Sequence, residues 1–586
     1  MNFLRNLLAA ILGCIIAFGI LVVMGVVFAA LVGAGEGAVE VKQNSILEIQ
    51  LQQPISDYVG QDDQNPFGAL FQKPQGLDEI IHAIRIAKDD PRIKGISIAN
   101  NFLSAGWAQT QSIRKVLKDF KSEGKFVYAY GDFYMQKEYY LASVSDSVFL
   151  NPVGVLDFKG LSTEVLFYKE LQEKTGVKME VIRHGKYKSA VEPYLNDAMS
   201  EANRTQIKEL IGSLWNSVVH DISGSRNIPV ANINTIADTL GGRTPKYAKI
   251  SGLIDGVAYY DQYEGKLKNA SGTSLEEEVN LISIQDYSLG AAAKRWYKGK
   301  DKVAVIYAQG EILYGEGSNE IIGQGLINEA IIKARDDDKV KAIVLRVNSP
   351  GGSALTSDII WREVVQAKAI KPVVVSMGNV AASGGYYIAA GADKIIAEPT
   401  TITGSIGVFG TVPNVTELAA DIGINAEQVG TNKNAVGYSV FEPMTENFRE
   451  EIQESIETTY TTFLEKVSQG RGISMAQADS IAQGRVWSGV DAKRIGLVDA
   501  LGTLDDAIKE AAKLADLKEF GIKKFPKYKT GIEKLMESIS TSTVFSKEEL
   551  IAKEIGPEAY EVLQEIKSAM KQKGVQTRMP YTLNIK

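Results

Sequence analysis

The sequence predicts an α/β protein made of two tandem copies of one domain, preceded by a single N-terminal transmembrane helix. Three observations carry that reading. An offset of 247 positions lays Lys94–Pro152 on Lys341–Pro399 without a gap, matching Asp89 with Asp336, Ile96 with Ile343, Gly131 with Gly378, Tyr139-Tyr140 with Tyr386-Tyr387 and Asp146 with Asp393. Each copy alternates short apolar runs with helical patterns, as parallel strands joined by right-handed crossovers do. Leu7–Val32 is a run of 26 residues without charge or proline.

Residues 1–6 read as a cytoplasmic tail and 7–32 as the membrane helix. At about 1.5 Å per residue the run exceeds a hydrocarbon core of roughly 30 Å, and it spans with some tilt. It is longer than the apolar region of a cleaved signal peptide. A lipoprotein-type box at Ile11-Leu12-Gly13-Cys14 is the alternative to a buried membrane cysteine. Arg5 before the run and Glu36 and Glu40 after it place the bulk of the chain outside the cytoplasm.

Residues 33–44 form a small-residue linker, 45–296 the first copy, 297–525 the second and 526–586 a largely helical tail. Ser45–Leu51 alternates like a strand, and Val303–Ala308 is its counterpart. Helical patterns follow at Leu77–Lys88 and Ile327–Arg335. Then come short strands at Ile96–Ala99 and Ala342–Val347. In the second copy a helix over Ser357–Ala367 and a strand over Pro372–Met377 continue the alternation.

Composition is that of a globular protein, 45% hydrophobic and 23% charged. The net charge of −7 gives no reason to expect a nucleic-acid partner, and the basic cluster Lys523–Lys529 reads as a solvated face. One cysteine excludes an intrachain disulfide. Three scattered histidines, His82, His184 and His220, exclude a His-rich metal site, and no cofactor is expected.

The two copies differ where chemistry is expected. Asn348-Ser349-Pro350-Gly351-Gly352 stands where the first copy has Asn101-Phe102-Leu103-Ser104-Ala105, and Ala381-Ala382-Ser383-Gly384-Gly385 where it has Tyr134-Met135-Gln136-Lys137-Glu138. Ser383 lies where a strand turns into the helix read over Ala382–Ala390. A serine there is either a nucleophile or a helix cap. The free N–H groups and positive dipole end of a helix start suit a developing oxyanion. Gly384 offers one such N–H, and the glycine turn ending at Gly352 offers a second. The concerted loss of the serine and the glycines in the first copy favours the nucleophile.

A serine needs a base. A histidine is one possibility, with His184 the one to follow. A lysine kept neutral by burial is the other. Tyr187-Lys188-Ser189-Ala190-Val191-Glu192-Pro193 resembles the Y-K-S-A-x-E-P signature of the bacterial signal peptide peptidase (SppA, protease IV) family. Ser349–Gly352, Ala381–Tyr386 and Thr403-Gly404-Ser405-Ile406-Gly407 are similar to its other signatures, in the same order and the same halves.

That resemblance implies tandem ClpP/crotonase-like domains of repeated ββα-type units. It also implies a membrane-anchored homotetramer that degrades residual signal peptides. On the matching positions it implies Ser383 as nucleophile, Lys188 as base, Gly352 and Gly384 as oxyanion donors, and Ser405 orienting the lysine. In the 247 register Ser405 meets Phe158, which cannot do so. Gly430–Ala435 also aligns with Gly185–Ala190, so Lys433 rivals Lys188. A crotonase-type acyl-CoA enzyme and a non-catalytic membrane scaffold are the alternative functions.

Overall fold

The computed structural model describes residues 40–60, 75–291, 294, 296–528 and 576–578, with scattered positions in the first 24. The expected membrane span over 7–32 lies outside them apart from those positions. Among the described residues no helix is long and apolar enough to cross a membrane.

The first copy is built on Ser45–Ile49 (β1), Leu77–Asp89 (α1), Ile93–Ile98 (β2), Trp107–Lys121 (α2), Phe126–Tyr134 (β3), Gln136–Ala142 (α3) and Ser147–Leu156 (β4). Helix α1 buries Leu77, Ile80, Ala83, Ile84 and Ala87, a stripe at three- and four-residue spacing. Lys178–His184 (β5) and the long helix Glu201–Arg226 (α4) follow, then Gly256–Val257 (β6) and Leu281–Ser283 (β7). The strands form a parallel sheet in the order β6-β4-β3-β2-β1-β7, from which β5 is missing.

The second copy repeats the plan. It comprises Lys302–Gln309 (β8), Glu311–Ile312 (β9), Ile321–Ile322 (β10), Gln324–Asp336 (α5), Val340–Ser349 (β11), Gly351–Ser353 (β12), Ala354–Lys368 (α6), Val373–Ala382 (β13) and Gly384–Ala389 (α7). Lys394–Ala397 (β14), Ile402–Gly404 (β15), Val408–Asn414 (β16), Glu446–Arg471 (α8), Val486–Ser488 (β17), Ala500–Leu501 (β18), Leu504–Leu514 (α9) and Gly521–Phe525 (β19) complete it. Strand β8 lies between β11 and β19 as β1 lies between β2 and β7, and β14 pairs β18 as β4 pairs β6. Even a buried tyrosine bond recurs: Tyr139 donates to the Leu253 carbonyl at 2.9 Å and Tyr386 to that of Leu497 at 2.8 Å.

The gapless register needs one correction. Lys125 caps the carbonyls of Ala87 and Asp90, and Lys371 caps those of Ala334 and Asp337. Ile96 pairs with Val127 and Ile343 with Val373. The two lysines are 246 residues apart while the carbonyls they cap are 247 apart, so β3 and β13 are displaced by one residue. The sequence match of Gly131 with Gly378 is therefore not a structural one. The register is regained by Tyr139 and Tyr386, beyond an irregularity in β3 between Gly131 and Phe133.

A third sheet, ordered β10-β9-β12-β20-β16-β5, joins the copies. Strand β5, from the first half, runs antiparallel to β16 from His184 opposite Val408 to Lys178 opposite Asn414. Gln576–Arg578 (β20) belongs to the segment expected to be largely helical; the rest of that segment beyond 528 lies outside the described residues.

Polar groups seal the remaining seam. Arg346 meets Asp57 at 2.7 Å with both side chains almost wholly buried, and also donates to Ser376 Oγ and the Met377 carbonyl. Gln109 on α2 donates to Asp57 and to the Ile55 carbonyl. Ser112 donates to Glu398, whose carboxyl burial pushes up to about 8, so it is largely protonated at neutral pH.

Removing one member of a buried ion pair strands the other charge, at a cost of about 3–5 kcal/mol. Asp57→Ala is therefore expected to lower unfolding stability by that order in urea titration. Replacing Asp57 and Arg346 together by leucine and methionine should restore much of the loss.

Candidate active site

Strand β13 ends at Ala382 and α7 begins at Gly384, so Ser383 is the single residue of the corner. Its backbone sits at φ 56° and ψ −116°, outside the usual range for an L-residue. The corner is held from both sides: Ser383 N–H donates to the Gly404 carbonyl at 2.8 Å, and Tyr387 N–H donates to the Ser383 carbonyl at 2.9 Å. Its side chain makes no capping bond, and it is fully buried. The hydroxyl is thus turned away from the cap role that serine ordinarily takes at a helix start.

What it faces is Lys188. The Lys188 Nζ lies 3.0 Å from Ser383 Oγ and 3.1 Å from both the carbonyl oxygen and Oγ of Ser405. Lys188 has no exposed surface, and burial alone holds its amine well below the ordinary lysine range. The ring of Phe409 is 5.8 Å from Nζ. A neutral amine has two N–H bonds and one lone pair, which matches three polar neighbours. Ser405, at φ 51°, is strained like Ser383, and its N–H donates to the Arg485 carbonyl at 2.7 Å.

Two glycines make room for the lysine. A Cβ on Gly484 would stand 2.6 Å from the Lys188 backbone nitrogen, and one on Gly407 would stand 3.1 Å from Lys188 Cδ. Lys433 is exposed in a turn. The ring of His184 lies tilted against Tyr460 with centroids 4.1 Å apart, His82 bonds the carbonyls of Ala291 and Lys294, and His220 bonds that of Asn216. The rival bases are engaged elsewhere or out in solvent.

Gly384 is the first residue of α7, where a backbone N–H has no acceptor one turn earlier. The turn 349–352 lies against it: a Cβ on Gly385 would meet the Ser349 carbonyl at 2.8 Å. Gly351 N–H donates to Ser349 Oγ at 3.1 Å. Gly352, at φ 149°, sits in β12 opposite Ile312 and Thr577.

In the first copy the equivalent positions are filled. Gln136, in the place of Ser383, accepts from the N–H groups of Lys159 and Gly160 and donates to the Gly160 carbonyl. Glu138, in the place of Gly385, accepts from Leu103 N–H at 2.6 Å. A carboxylate occupies the turn corresponding to the glycine turn of the second copy.

The model of peptidase family S49 matches residues 119–274 and 365–518. Protease 4 of Salmonella typhi is 38% identical over 559 residues, spanning 92% of this chain and 89% of that protein. Protease 4 of Haemophilus influenzae is 40% identical, over 75% of this chain and 73% of that one. The chloroplastic serine protease SPPA of Arabidopsis thaliana is 32% identical, over 86% and 74%. Among solved structures, a ClpP1 mutant from Listeria monocytogenes aligns at a TM-score of 0.23 and 18% identity, covering 35% of this chain and 94% of that one.

Sequence reading missed the residues that hold the lysine turn. Gln206, buried on α4, donates to the Tyr187 carbonyl at 3.1 Å and to Ser189 Oγ at 2.8 Å, the two neighbours of Lys188, and accepts from Val486 N–H. Gln483, at φ 53°, accepts from Tyr187 N–H through its carbonyl. Glu192, buried, accepts from Ser200 and Asn203. Only Glu192 belongs to a recognisable motif; a lone glutamine in a helix carries no signal. Gln206→Ala is expected to slow acylation of Ser383 by a fluorophosphonate about 10–100-fold. It should also move the pH profile of labelling upward, because water entering beside Lys188 raises its pKa. A profile that falls without shifting would make Gln206 a purely structural residue.

Proposed function

The chain belongs to peptidase family S49, and from that premise we propose that it is a membrane-anchored serine endopeptidase working through a Ser383–Lys188 dyad. The observation that carries this reading is a fully buried amine with no counter-charge, 3.0 Å from a strained serine. A scaffold without chemistry has no use for such an arrangement, which burial makes costly. Acyl-CoA chemistry has no use for a nucleophilic serine.

The lone pair of Lys188 takes the Ser383 proton as Oγ attacks a peptide carbonyl. The N–H groups of Gly384 and Gly352 receive the charge on the tetrahedral oxygen, each worth about 10²–10³ in rate. The C–N bond breaks as the ammonium of Lys188 returns the proton to the leaving amine, which departs and leaves the acyl group on Ser383. Lys188 then deprotonates water, which attacks the ester and frees the acid. Ser405 fixes the rotamer of the lysine throughout, and no cofactor or metal is called for.

Extended apolar peptides are the substrates, with residual signal peptides as the physiological class. The uncharged run Leu7–Val32 would hold the catalytic body at the outer face of the cytoplasmic membrane, beside their source. The names of the relatives support peptidase activity; assembly as a homotetramer rests on family resemblance alone.

Fluorophosphonate labelling and peptide cleavage are expected in the wild type and to vanish in Ser383→Ala, while Lys188→Ala should lose about 10³-fold or more. Full activity in Lys188→Ala would overturn the base assignment. The rate should rise with pH through the depressed pKa of Lys188 and level off well below 10.5. The same shift has a stability consequence. Between the folded and unfolded values the unfolded chain binds more protons, so the Lys188 contribution to stability grows as pH rises through that window. Thermal denaturation of Lys188→Met across that range should lack this slope.

A further inference from the structure

Lys188 and Ser405 come from different halves of the chain, and one stretch, residues 483–487, touches both of their segments. The Arg485 carbonyl accepts from Ser405 N–H at 2.7 Å, and Arg485 N–H donates to the Ala482 carbonyl at 2.9 Å. A Cβ on Gly404 would stand 2.9 Å from that same Arg485 carbonyl, so the two backbones are pressed together. Val486 and Trp487 then pair with Gly404 and Thr403 across β17 and β15. Ser405 in turn meets Lys188 Nζ through its carbonyl oxygen and Oγ. The main chain of Arg485 therefore anchors the residue that faces the amine.

The side chain of Arg485 reaches the other segment. Its guanidinium carbon lies 4.2 Å from the centroid of the Trp487 ring and 5.1 Å from that of Tyr187, the chain neighbour of Lys188. A guanidinium over aromatic faces is drawn to their negative quadrupoles and stacks on them. Trp487 is fixed by its own Nε1, which donates to the Ile481 carbonyl at 3.0 Å. Arg485 also pairs with Glu209 on α4, but that carboxylate is 57% exposed, and an ion pair in water holds little. The two rings hold the arginine.

The first copy lacks this clamp. Thr244 caps the helix Pro245–Ile250 as Ser488 caps Gly489–Arg494. Three positions before those caps stand Gly241 and Arg485. The copy in which Gln136 takes the place of Ser383 has no side chain there.

We propose that Arg485 is a positioning residue for the base: gripped by Tyr187 and Trp487, it couples the turn that carries Lys188 to the loop that carries Ser405, and so sets the 3.0 Å approach of Nζ to Ser383 Oγ. The inference rests on the peptidase reading of the site.

The test measures the rate of fluorophosphonate labelling of Ser383 against pH in the full chain, together with thermal unfolding. Arg485→Ala should slow labelling about 10–100-fold at neutral pH. The midpoint of its pH profile should move upward, because water admitted beside Lys188 favours the ammonium. Arg485→Met keeps the packing of the stem and loses the charge, so it should show the same shift even where Arg485→Ala fails to fold. Trp487→Leu should behave alike, and Trp487→Phe, which keeps a ring, should recover most of the rate. Glu209→Gln should change the rate less than about threefold. Labelling within about twofold of wild type in Arg485→Ala and Arg485→Met overturns the proposal. So does a fall in rate with no movement of the midpoint, which would make Arg485 a structural residue only, or a fall in Glu209→Gln as large as that in Arg485→Ala. In each of these cases labelling of Ser383 in the wild type leaves the peptidase reading standing. Absence of that labelling would remove the reading itself, and the proposal with it.

Discussion

A primary amine kept out of water, with no carboxylate beside it, is the constraint around which the molecule is arranged. An ammonium in that position costs several kcal/mol, and burial shifts the amine toward its neutral form. That burial draws on material from both halves. The first half supplies Lys188 and its turn; the second supplies Ser405, Gly407, Phe409 and Gly484 around it. Neither half contains an enclosed lysine without the other. The pairing of β5 with β16 and the bridge of Gln206 to Val486 follow from that need.

Duplication gave two sheets of the same plan, and the seam between them is unusually polar for a buried surface. Asp57 accepts from Arg346 and Gln109 there, and Ser112 donates to Glu398, whose carboxyl burial pushes toward the protonated form. Such groups contribute little net stability compared with an apolar seam. They fix one relative placement of the halves, because any sliding would leave several buried polar groups without partners. The contact of Lys188 with Ser383 crosses the halves and depends on that fixity: an ångström of slip would separate nitrogen from oxygen beyond a hydrogen bond.

Much of this was legible in the residues. The repeat offset located equivalent strands and helices, and the changes at Ser383 and Gly352 pointed to the copy in which Ser383 meets Lys188. What failed to show has physical reasons. The one-residue displacement of β3 against β13 is invisible because compensating changes restore the register by Tyr139 and Tyr386, and a gapless match hides them. Lys433 aligned with Lys188 because both follow a glycine at the same spacing; burial, which separates them, is a property of the folded seam. The helix read over Ala382–Ala390 is shorter, Gly384–Ala389, since strand β13 runs up to Ala382 and the corner takes Ser383. Strand β5 gave no sign that it belongs to the partner sheet, because strand patterns report a pleat and not a neighbour. Gln206 had no motif at all.

The filled pocket of the first copy is closed by its own side chains. Glu138 accepts from the Leu103 amide, and Gln136 stitches down the loop at 159–160 that corresponds to the one beside Lys188 in the other copy. Truncating either residue would leave buried amides without an acceptor, so the two side chains that occupy the pocket also hold its walls in place.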